Sequence, residues 1–600
     1  MTAPNRRSRA ASPRRMAALA LVGALILSIV AAASRPEQAD AALANSSFDP
    51  TPRPHGAVTI IGDSVLQGSF IVGPTLTDRL AENGWGPIRG RAGVGYSTGI
   101  FATATEARAT YWIDMWRRQG WDAPNVFVNL GANDSGRCDV DLACARDAIL
   151  HLVTAIGPGH RIWWPKVTRH PLFQHQADNW NLALEQIADE RADFFTWDWP
   201  FVMATEGLAT GDNTHLTSEG YRTRSRIMAH EFSADLVFAT RTGGDAPLAT
   251  PTGAPSELVP IGPVRVIDTR IDPPGRVAAD TAIVVDVSDH VPAGTTAIAA
   301  YVSATNTAGP GFLTAYDCST GRPTASAANH AAGATRGAVA ITPIADDGTF
   351  CLYTLAEADL LVDLQAAFVP VGGGGLRFDP LDTPSRLVDT RETGRSEVIE
   401  IDAPAGADAV AISLTAVFGD RFGFLTAYPC SDDIPVVATV NYGPAELISG
   451  TAFLPVSDRG TICVYVLNST DVTVDLTGTF SADADLVFQP AAPTRMIDTR
   501  YGTGGWEPVQ GRFQTIDARV APPEAEAVSG TLTMVTPLRT GFVRAWGCGS
   551  EPETANVTAV SGAVLANSLT TGVSADGRLC VMARVATSTV FDTSGWWVPG

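Results

Sequence analysis

The segment VTIIGDS (58–64) decides the fold of the first part of the chain, because a run rich in β-branched residues leads directly into Gly-Asp-Ser. Three further apolar runs have the composition of buried strands: NVFVNLGAND (125–134), RIWWPKV (161–167) and DFFTWDW (193–199). Helix-like stretches lie near 105–118, 142–156, 175–190 and 218–233. Alternation of this kind is typical of a parallel sheet with helices on both faces. Residues 58–236 are therefore predicted to form an α/β domain whose reactive loops gather at the carboxyl ends of the strands.

The remainder of the chain repeats itself. RVIDTR (265–270) returns as RLVDTR (386–391) and RMIDTR (495–500), and GFLTAYDC (311–318) returns as GFLTAYPC (423–430) and GFVRAWGC (541–548). Short alternating runs rich in Val, Thr and Ile, with Gly and Asp-Gly turns, indicate β-sandwiches. We predict a multidomain chain in which a linker (237–257) joins the α/β domain to three all-β sandwich-like repeats, 258–372, 373–484 and 485–600. The recurring Asp and Arg of the DTR motifs suggest either a binding role or structural ion pairs and turns, and we favour the structural interpretation.

Eight cysteines fall in four local pairs. None has the CxxC spacing that is typical of a zinc site. Cysteines with a partner nearby in an exported protein predict disulfides. The expected bonds are Cys138–Cys144, Cys318–Cys351, Cys430–Cys463 and Cys548–Cys580.

The start of the chain has the features of a targeting segment. Basic residues precede an apolar run from Met16 to Ala33, and small residues follow it. Residues 1–44 are predicted to be a signal peptide or a retained membrane anchor, followed by a linker at 45–57, which makes the protein secreted or attached to the cell surface. The formal net charge of −21 argues against nucleic acid as a partner.

Three polar motifs carry the candidate chemistry: GDS (62–64), GAND (131–134) and DNTH (212–215). Ser64 follows a strand run and becomes nucleophilic if a base lies within hydrogen-bond reach. His215 is the candidate base, and Asp212, three residues earlier, is suited to hold the imidazole in the useful tautomer. The candidate donors to an oxyanion are the Ser64 N–H, the Gly93 N–H and the Asn133 side-chain amide. Gly95 is the alternative to Gly93.

These residues resemble the sequence blocks of the SGNH (GDSL-type) hydrolases. Gly62-Asp63-Ser64 is similar to the first block, the AGVG stretch (92–95) to the second, Gly131 to Asp134 to the third, and Asp212 to His215 to the last. The resemblance implies a flavodoxin-like α/β/α domain that hydrolyses esters through an acyl-serine, without cofactor or metal. The β repeats resemble modules attached to many secreted actinobacterial proteins, a resemblance that implies no particular chemistry.

The sequence thus predicts a secreted serine esterase that removes short acyl groups, acetyl above all, from a glycan. Two alternatives remain open. One is a cell-wall O-acetyltransferase, since FFTWDW and the DNTH stretch are similar to the esterase-like domains of peptidoglycan O-acetyltransferases. The other is a surface adhesion protein with an inactive esterase domain, whose β repeats bind cell-wall polysaccharide.

Overall fold

The computed structural model describes residues 45–600 except 192, 209, 211, 431 and 432. The predicted signal peptide or anchor (1–44) therefore lies outside the described residues. Within the described part of the chain, no helix is both long and apolar enough to cross a membrane. The chain divides into two compact units, with the boundary in the sequence between Met228 and Ala229.

The first unit is built on one six-stranded sheet, ordered β1-β3-β2-β4-β5-β6. Strands β2 to β6 are parallel, in the strand order of flavodoxin-like sheets, and β1 pairs with β3 in the antiparallel sense. The strands are β1 (Ser46–Asp49), β2 (Val58–Gly62), β3 (Ile88–Ala92), β4 (Asn125–Asn129), β5 (Arg161–Pro165) and β6 (Phe194–Trp197). Residues 45–57, expected to be a linker, thus contain an edge strand.

Helices cover both faces of this sheet, as the sequence predicts. On one face, Ile61 and Trp164 join a core with residues of α3, α5 and α6, while Phe70 of α1 lies beside Gly90 and Ile60 on the other face. The helices are α1 (Ser64–Ile71), α2 (Leu76–Glu82), α3 (Ala109–Arg118), α4 (Ser135–Cys138), α5 (Leu142–Ile156), α6 (Gln174–Glu190), α7 (Trp199–Thr205) and α8 (Ser218–Leu236), with 3₁₀ turns at Thr105–Ala107 and Pro171–Phe173.

The second unit is β-rich. Its strands are β7 (Thr240–Arg241), β8 (Ser256–Asp268), β9 (Thr281–Asp286), β10 (Ala297–Thr305), β11 (Gly311–Tyr316), β12 (Ala328–His330), β13 (Arg336–Pro343), β14 (Thr349–Thr354), β15 (Asp359–Pro370), β16 (Arg377–Asp389), β17 (Val398–Asp402), β18 (Ala409–Val417), β19 (Gly423–Pro429), β20 (Val440–Tyr442), β21 (Leu447–Pro455), β22 (Thr461–Leu467), β23 (Asp471–Ser481), β24 (Leu486–Asp498), β25 (Trp506–Glu507), β26 (Gln514–Arg519), β27 (Ala527–Val535), β28 (Gly541–Trp546), β29 (Val557–Ala559), β30 (Val564–Gly572), β31 (Arg578–Ala583) and β32 (Ser588–Pro599), with one short helix, α9 (Thr390–Thr393). The expected linker 237–257 contains β7, which pairs with β25.

Three four-stranded sheets of the second unit share one strand order: β12-β11-β14-β9, β20-β19-β22-β17 and β29-β28-β31-β26. Each packs against four strands of a twelve-stranded sheet and encloses an apolar core. A fourth core lies between the three sets of strands and contains a cluster of aromatic rings: Phe368, Phe378, Phe480, Phe488 and Trp597. Each β segment therefore encloses a core of its own, and the three segments are joined through this fourth core.

The aspartates of the DTR motifs are buried and form ion pairs with arginines that are partly exposed. Arg265 binds Asp363 through two nitrogens and Asp268 through Nη1 at 3.1 Å, and Arg270 Nε donates to Asp268 at 2.8 Å. The same four contacts recur around Arg386 and around Arg495. These contacts agree with a structural role for the motif.

The four predicted disulfides are present: Cys138–Cys144, Cys318–Cys351, Cys430–Cys463 and Cys548–Cys580.

Candidate active site

Ser64 lies where buried strand β2 runs into helix α1. Asp63 caps this helix, because its Oδ1 accepts a hydrogen bond from the Val65 N–H at 3.0 Å. Ser64 is then the first helical residue, and its N–H has no acceptor within the described part of the chain. The turn therefore presents a hydroxyl and a free N–H at the positive end of a helix.

Ser64, His215 and Asp212 form one chain of hydrogen bonds, although 151 residues separate the serine from the histidine. The Ser64 Oγ lies 3.0 Å from His215 Nε2, and His215 Nδ1 lies 2.8 Å from Asp212 Oδ2. If Nδ1 carries the proton and donates to the carboxylate, Nε2 is left to accept from the serine hydroxyl. The arrangement is that of a nucleophile, a base and a group that orients the base.

The Asp212 carboxylate is held by donors on both oxygens. Its Oδ1 accepts from the Thr214 N–H and the His215 N–H, both at 3.0 Å, and from the Thr210 hydroxyl at 2.9 Å. Burial alone would raise the pKa of Asp212, but the hydrogen bonds from His215 and Thr214 outweigh it and lower the pKa to about 2. The carboxylate is consequently ionised at any pH near neutrality.

The histidine and the aspartate of this hydrogen-bonded series are open to solvent. The side chains of His215 and Asp212 are 50% and 51% exposed. A bulky molecule can therefore reach the imidazole without first entering a deep cavity.

Asn213 fastens the loop that carries Asp212 and His215. Its side-chain amide donates to the Arg169 carbonyl at 3.1 Å, and its φ of 52° lies in the left-handed region that asparagine tolerates better than most residues. No sequence feature singles out this residue, although it stands inside the DNTH motif. Its role is to tie the loop to the segment that follows β5.

Asn133, the predicted side-chain donor to an oxyanion, is exposed and oriented. Its Nδ2 donates to the Tyr96 carbonyl at 2.9 Å, which occupies one of the two amide hydrogens and leaves the other free. The next residue, Asp134, is fully buried and accepts from the Thr98 hydroxyl at 2.9 Å and from the Thr98 N–H at 3.2 Å. Asp134 thus holds the loop that presents Asn133.

The N–H of Gly93, one of the expected oxyanion donors, already has an acceptor. Its N–H donates to the Gly62 carbonyl at 3.2 Å, because the ladder between β2 and β3 continues one residue beyond the strands. The N–H of Gly95, the alternative second-block residue, has no acceptor among the described residues, and Gly95 adopts a φ of 77°. Gly95 is therefore the better candidate for an N–H donor from this turn.

A buried polar layer, which no sequence motif indicates, lies behind the serine. Arg224 of α8 donates to Ser69 Oγ at 3.0 Å and to Asn129 Oδ1, and Asn129 Nδ2 lies 3.4 Å from Asp63 Oδ1. Burial raises the pKa of Asp63 to about 6, against the opposing effects of the Val65 N–H and the Arg224 charge. The layer supports the turn that carries Ser64.

The Cys138–Cys144 disulfide lies next to the Asn133 loop. It joins the end of α4, which begins directly after Asp134, to the first turn of α5, with the Cα atoms 5.4 Å apart. Within the described residues, no group of three or more His, Cys, Asp or Glu side chains could hold a metal ion.

No protein-family model matches the chain, and no curated protein matches it. Among solved structures, the chain is similar to the C-terminal catalytic domain of peptidoglycan O-acetyltransferase A of Streptococcus pneumoniae, with 15% identity over 29% of this chain and 88% of that chain, at a TM-score of 0.23. It is also similar to a lipolytic protein of the G-D-S-L family from Veillonella parvula, with 15% identity over 29% of this chain and 96% of that one, at a TM-score of 0.24.

A third similar structure is Est24, a carbohydrate acetylesterase from Sinorhizobium meliloti, with 14% identity over 30% of this chain and 98% of that one, at a TM-score of 0.24. Each of the three matches covers less than a third of this chain. What the site can do is therefore judged from its own contacts.

Proposed function

We propose that the chain is a secreted serine esterase of the SGNH type that removes short acyl groups, acetyl above all, from a glycan. One observation carries the proposal: the unbroken hydrogen-bonded series from the Ser64 hydroxyl through the His215 imidazole to the ionised Asp212 carboxylate. The four disulfides support a protein that works in an oxidising compartment.

The proposed reaction begins when His215 Nε2 takes the proton of the Ser64 hydroxyl while Oγ attacks the ester carbonyl. Asp212 stabilises the imidazolium that forms. The tetrahedral intermediate collapses when the imidazolium returns its proton to the departing alcohol oxygen, which leaves acyl-Ser64. Water, deprotonated by the same imidazole, then attacks the acyl group and releases the carboxylic acid and free Ser64.

The oxyanion of each tetrahedral intermediate needs donors that are already in place. The Ser64 N–H is free at the start of α1, the second amide hydrogen of Asn133 is free, and the N–H of Gly95 is available. A donor of this kind typically contributes about 3 kcal/mol of transition-state stabilisation. We assign Ser64 and Asn133 to the oxyanion hole and give the third place to Gly95 rather than Gly93.

The exposure of the site favours an ester on a large alcohol. With half of the Asp212 and His215 side-chain surfaces open to solvent, a polymer can approach while only the small acyl group enters the site. We therefore propose acylated glycans rather than long-chain lipids as substrates.

The test compares two histidine–aspartate pairs of the same domain. His215 pairs with Asp212 and faces a serine, whereas His175 Nε2 lies 3.3 Å from Asp139, and no serine hydroxyl contacts it in the described part of the chain. We expect Ser64→Ala and His215→Ala each to lower the turnover of p-nitrophenyl acetate by at least about 10⁴-fold. His175→Ala should turn over at the wild-type rate.

Turnover by Ser64→Ala at the wild-type rate would contradict the proposal. So would the failure of the wild-type protein to hydrolyse every acyl ester in a series from acetyl to palmitoyl. An acceptor glycan added to the same assay decides between hydrolysis and transfer, since a transferase would move the acyl group to the sugar instead of to water.

A further inference from the structure

The β-rich unit contains a cavity of about 760 Å³, within the range of small-molecule sites. Its wall consists of the loop that follows β11, the residues before β10, the end of β13, and part of β24 with the nearby Thr252 and Gly253. All of these residues belong to the second unit. The cavity is therefore separate from the candidate active site.

The chemistry of the lining is mixed and carries a negative charge. One aromatic ring, that of Tyr316, lies among prolines and the hydroxyl groups of serine and threonine residues, with the carboxylates of Asp317 and Asp346. No Lys, Arg or His is among the residues that line it. Arg322, which stands in the same loop, lies instead over the Tyr353 ring, 3.7 Å from its centroid.

A disulfide and backbone hydrogen bonds hold the walls of the cavity in place without a ligand. The Cys318–Cys351 disulfide anchors the loop after β11, where Asp317 Oδ1 accepts from the Ser319 N–H at 2.8 Å. On the opposite side, the Thr252 N–H donates to the Pro490 carbonyl at 3.0 Å. A preformed site avoids the entropy cost of ordering loops on binding.

Tyr316 differs from its counterparts in the two later β segments. The aromatic residues that precede the equivalent cysteines, Tyr428 and Trp546, are buried to 4% exposure each, whereas Tyr316 is partly exposed. Neither the Tyr316 hydroxyl nor the Asp346 carboxylate makes a hydrogen bond within the described part of the chain. Of the three segments, only this one thus has its aromatic residue at the wall of a cavity. The Tyr316 hydroxyl and the Asp346 carboxylate there remain available for hydrogen bonds to a ligand.

We propose that this cavity binds a stretch of neutral or amino-sugar glycan. A sugar ring offers apolar C–H faces, which suit the Tyr316 ring and the prolines, and hydroxyl donors, which suit carboxylate acceptors. An ammonium group would gain further from Asp346 and Asp317, while an anionic glycan would be repelled. The cavity would hold the chain on a polysaccharide whether or not the first unit hydrolyses esters.

The proposal is tested by calorimetric titration of the intact chain with tetrasaccharides of glucose, N-acetylglucosamine and glucosamine, none of which carries an ester. An acidic tetragalacturonate serves as the anionic probe. We expect at least one of the first three to bind and tetragalacturonate to bind at least about tenfold more weakly. Tyr316→Ala should weaken the binding by about tenfold or more, and Asp346→Asn should weaken glucosamine binding most.

Two matched variants control for the fold. Tyr501→Ala removes a tyrosine of the same unit that is 75% exposed and outside the cavity, and Asp347→Asn neutralises the carboxylate next to Asp346 that does not line it. Both should bind as the wild type does. The proposal is overturned if none of the three tetrasaccharides binds, if tetragalacturonate binds best, or if Tyr316→Ala and Asp346→Asn both retain wild-type affinity.

Discussion

Asp212 of the first unit and the buried aspartates of the second unit have different partners. In the first unit, Asp212 is half exposed and hydrogen-bonded to an imidazole that faces Ser64. In the second, Asp363, Asp475 and Asp592 are at most 3% exposed and paired with an arginine. An imidazole accepts and returns a proton near neutral pH, whereas a guanidinium stays charged. A carboxylate paired with an imidazole is therefore suited to proton transfer, whereas one paired with a guanidinium is suited to a structural role.

The arginine-paired aspartates also join segments that lie far apart in the sequence. The Ala438 N–H lowers the pKa of Asp363 and the Ser326 N–H lowers that of Asp592, in each case from a segment more than seventy residues away. Burial raises the pKa of both carboxyl groups even though an arginine contacts each. Keeping these carboxylates charged in the interior costs desolvation free energy, which the arginine offsets. Removing one member of a pair should therefore lower the free energy of unfolding strongly.

Among substitutions of the aspartates and their partners, the largest expected effect comes from Asp212→Asn. The amide cannot hold the imidazole in the tautomer that leaves Nε2 free to accept, so kcat should fall by about 10⁴-fold with little change in KM. Steady-state kinetics with p-nitrophenyl acetate measure it, and Asp139→Asn, beside His175, is the matched control. Equal activity in the two variants would mean that Asp212 does not set the function of His215.

The next effect concerns the other unit. Arg495→Met leaves Asp592, which is 3% exposed, without its arginine, and leaves the fully buried Asp498 with Arg500 alone. We expect the free energy of unfolding of the β-rich unit to fall by about 3 kcal/mol, measured by denaturant titration, while ester hydrolysis by the folded chain stays unchanged.

The control for this loss is an exposed ion pair. Arg118 and Asp114 are 77% and 58% exposed, so Arg118→Met should cost at most about 0.5 kcal/mol. If the Arg495 and Arg118 variants were equally stable, the DTR clusters would not hold the β segments together.

Much of the α/β sheet could be predicted because β2, β4, β5 and β6 are continuous apolar runs. Strand β3 escaped prediction because its arginines alternate with buried residues: Arg89 and Arg91 lie over the rings of Trp116 and Trp112 instead of in solvent. Such a strand has too little apolar character to be recognised by pattern alone. The common core of the β-rich unit escaped for another reason, since strands such as β15 are buried on both faces and the pattern does not say what covers the second face.

At the site, the motifs predicted which residues lie together, but not which N–H groups already have an acceptor within the protein. The engagement of the Gly93 N–H depends on where the β2–β3 ladder ends, which no local sequence feature reveals. Arg224 lies in a helix rich in charged residues, where a single buried arginine looks like its exposed neighbours. Both the engagement of the Gly93 N–H and the burial of Arg224 depend on contacts with residues far away in the sequence.

A third kind of carboxylate sharpens the comparison further. Asp134 is buried beside Thr98 without an arginine, and burial raises its pKa to about 7. An unfolded aspartate titrates near 3.9, so between about pH 4 and pH 7 the folded state keeps a proton that the unfolded state has released. The stability of the first unit should therefore fall as the pH rises through this window.

Asp134→Asn removes this titration while it keeps an acceptor for Thr98. Between pH 5 and pH 7, we expect wild-type stability to fall by about 2 kcal/mol more than that of the variant, measured by urea unfolding of the first unit at each pH. Parallel pH profiles for the two proteins would show that Asp134 is already ionised at the lower pH.

The smallest effect separates the backbone of the active-site loop from its side chain. Asn213→Ala loses the hydrogen bond to the Arg169 carbonyl and places alanine at a φ of 52°, whereas Asn213→Gly loses only the hydrogen bond. The left-handed backbone costs alanine about 1 kcal/mol and the hydrogen bond contributes about 1 kcal/mol. We expect kcat to fall by about tenfold in the alanine variant and by less in the glycine variant, because both changes loosen the approach of His215 to Ser64. If the two variants are equally impaired, the amide contact alone positions the loop. If neither is impaired, the Asp212 hydrogen bonds to Thr210, Thr214 and His215 are sufficient to position it.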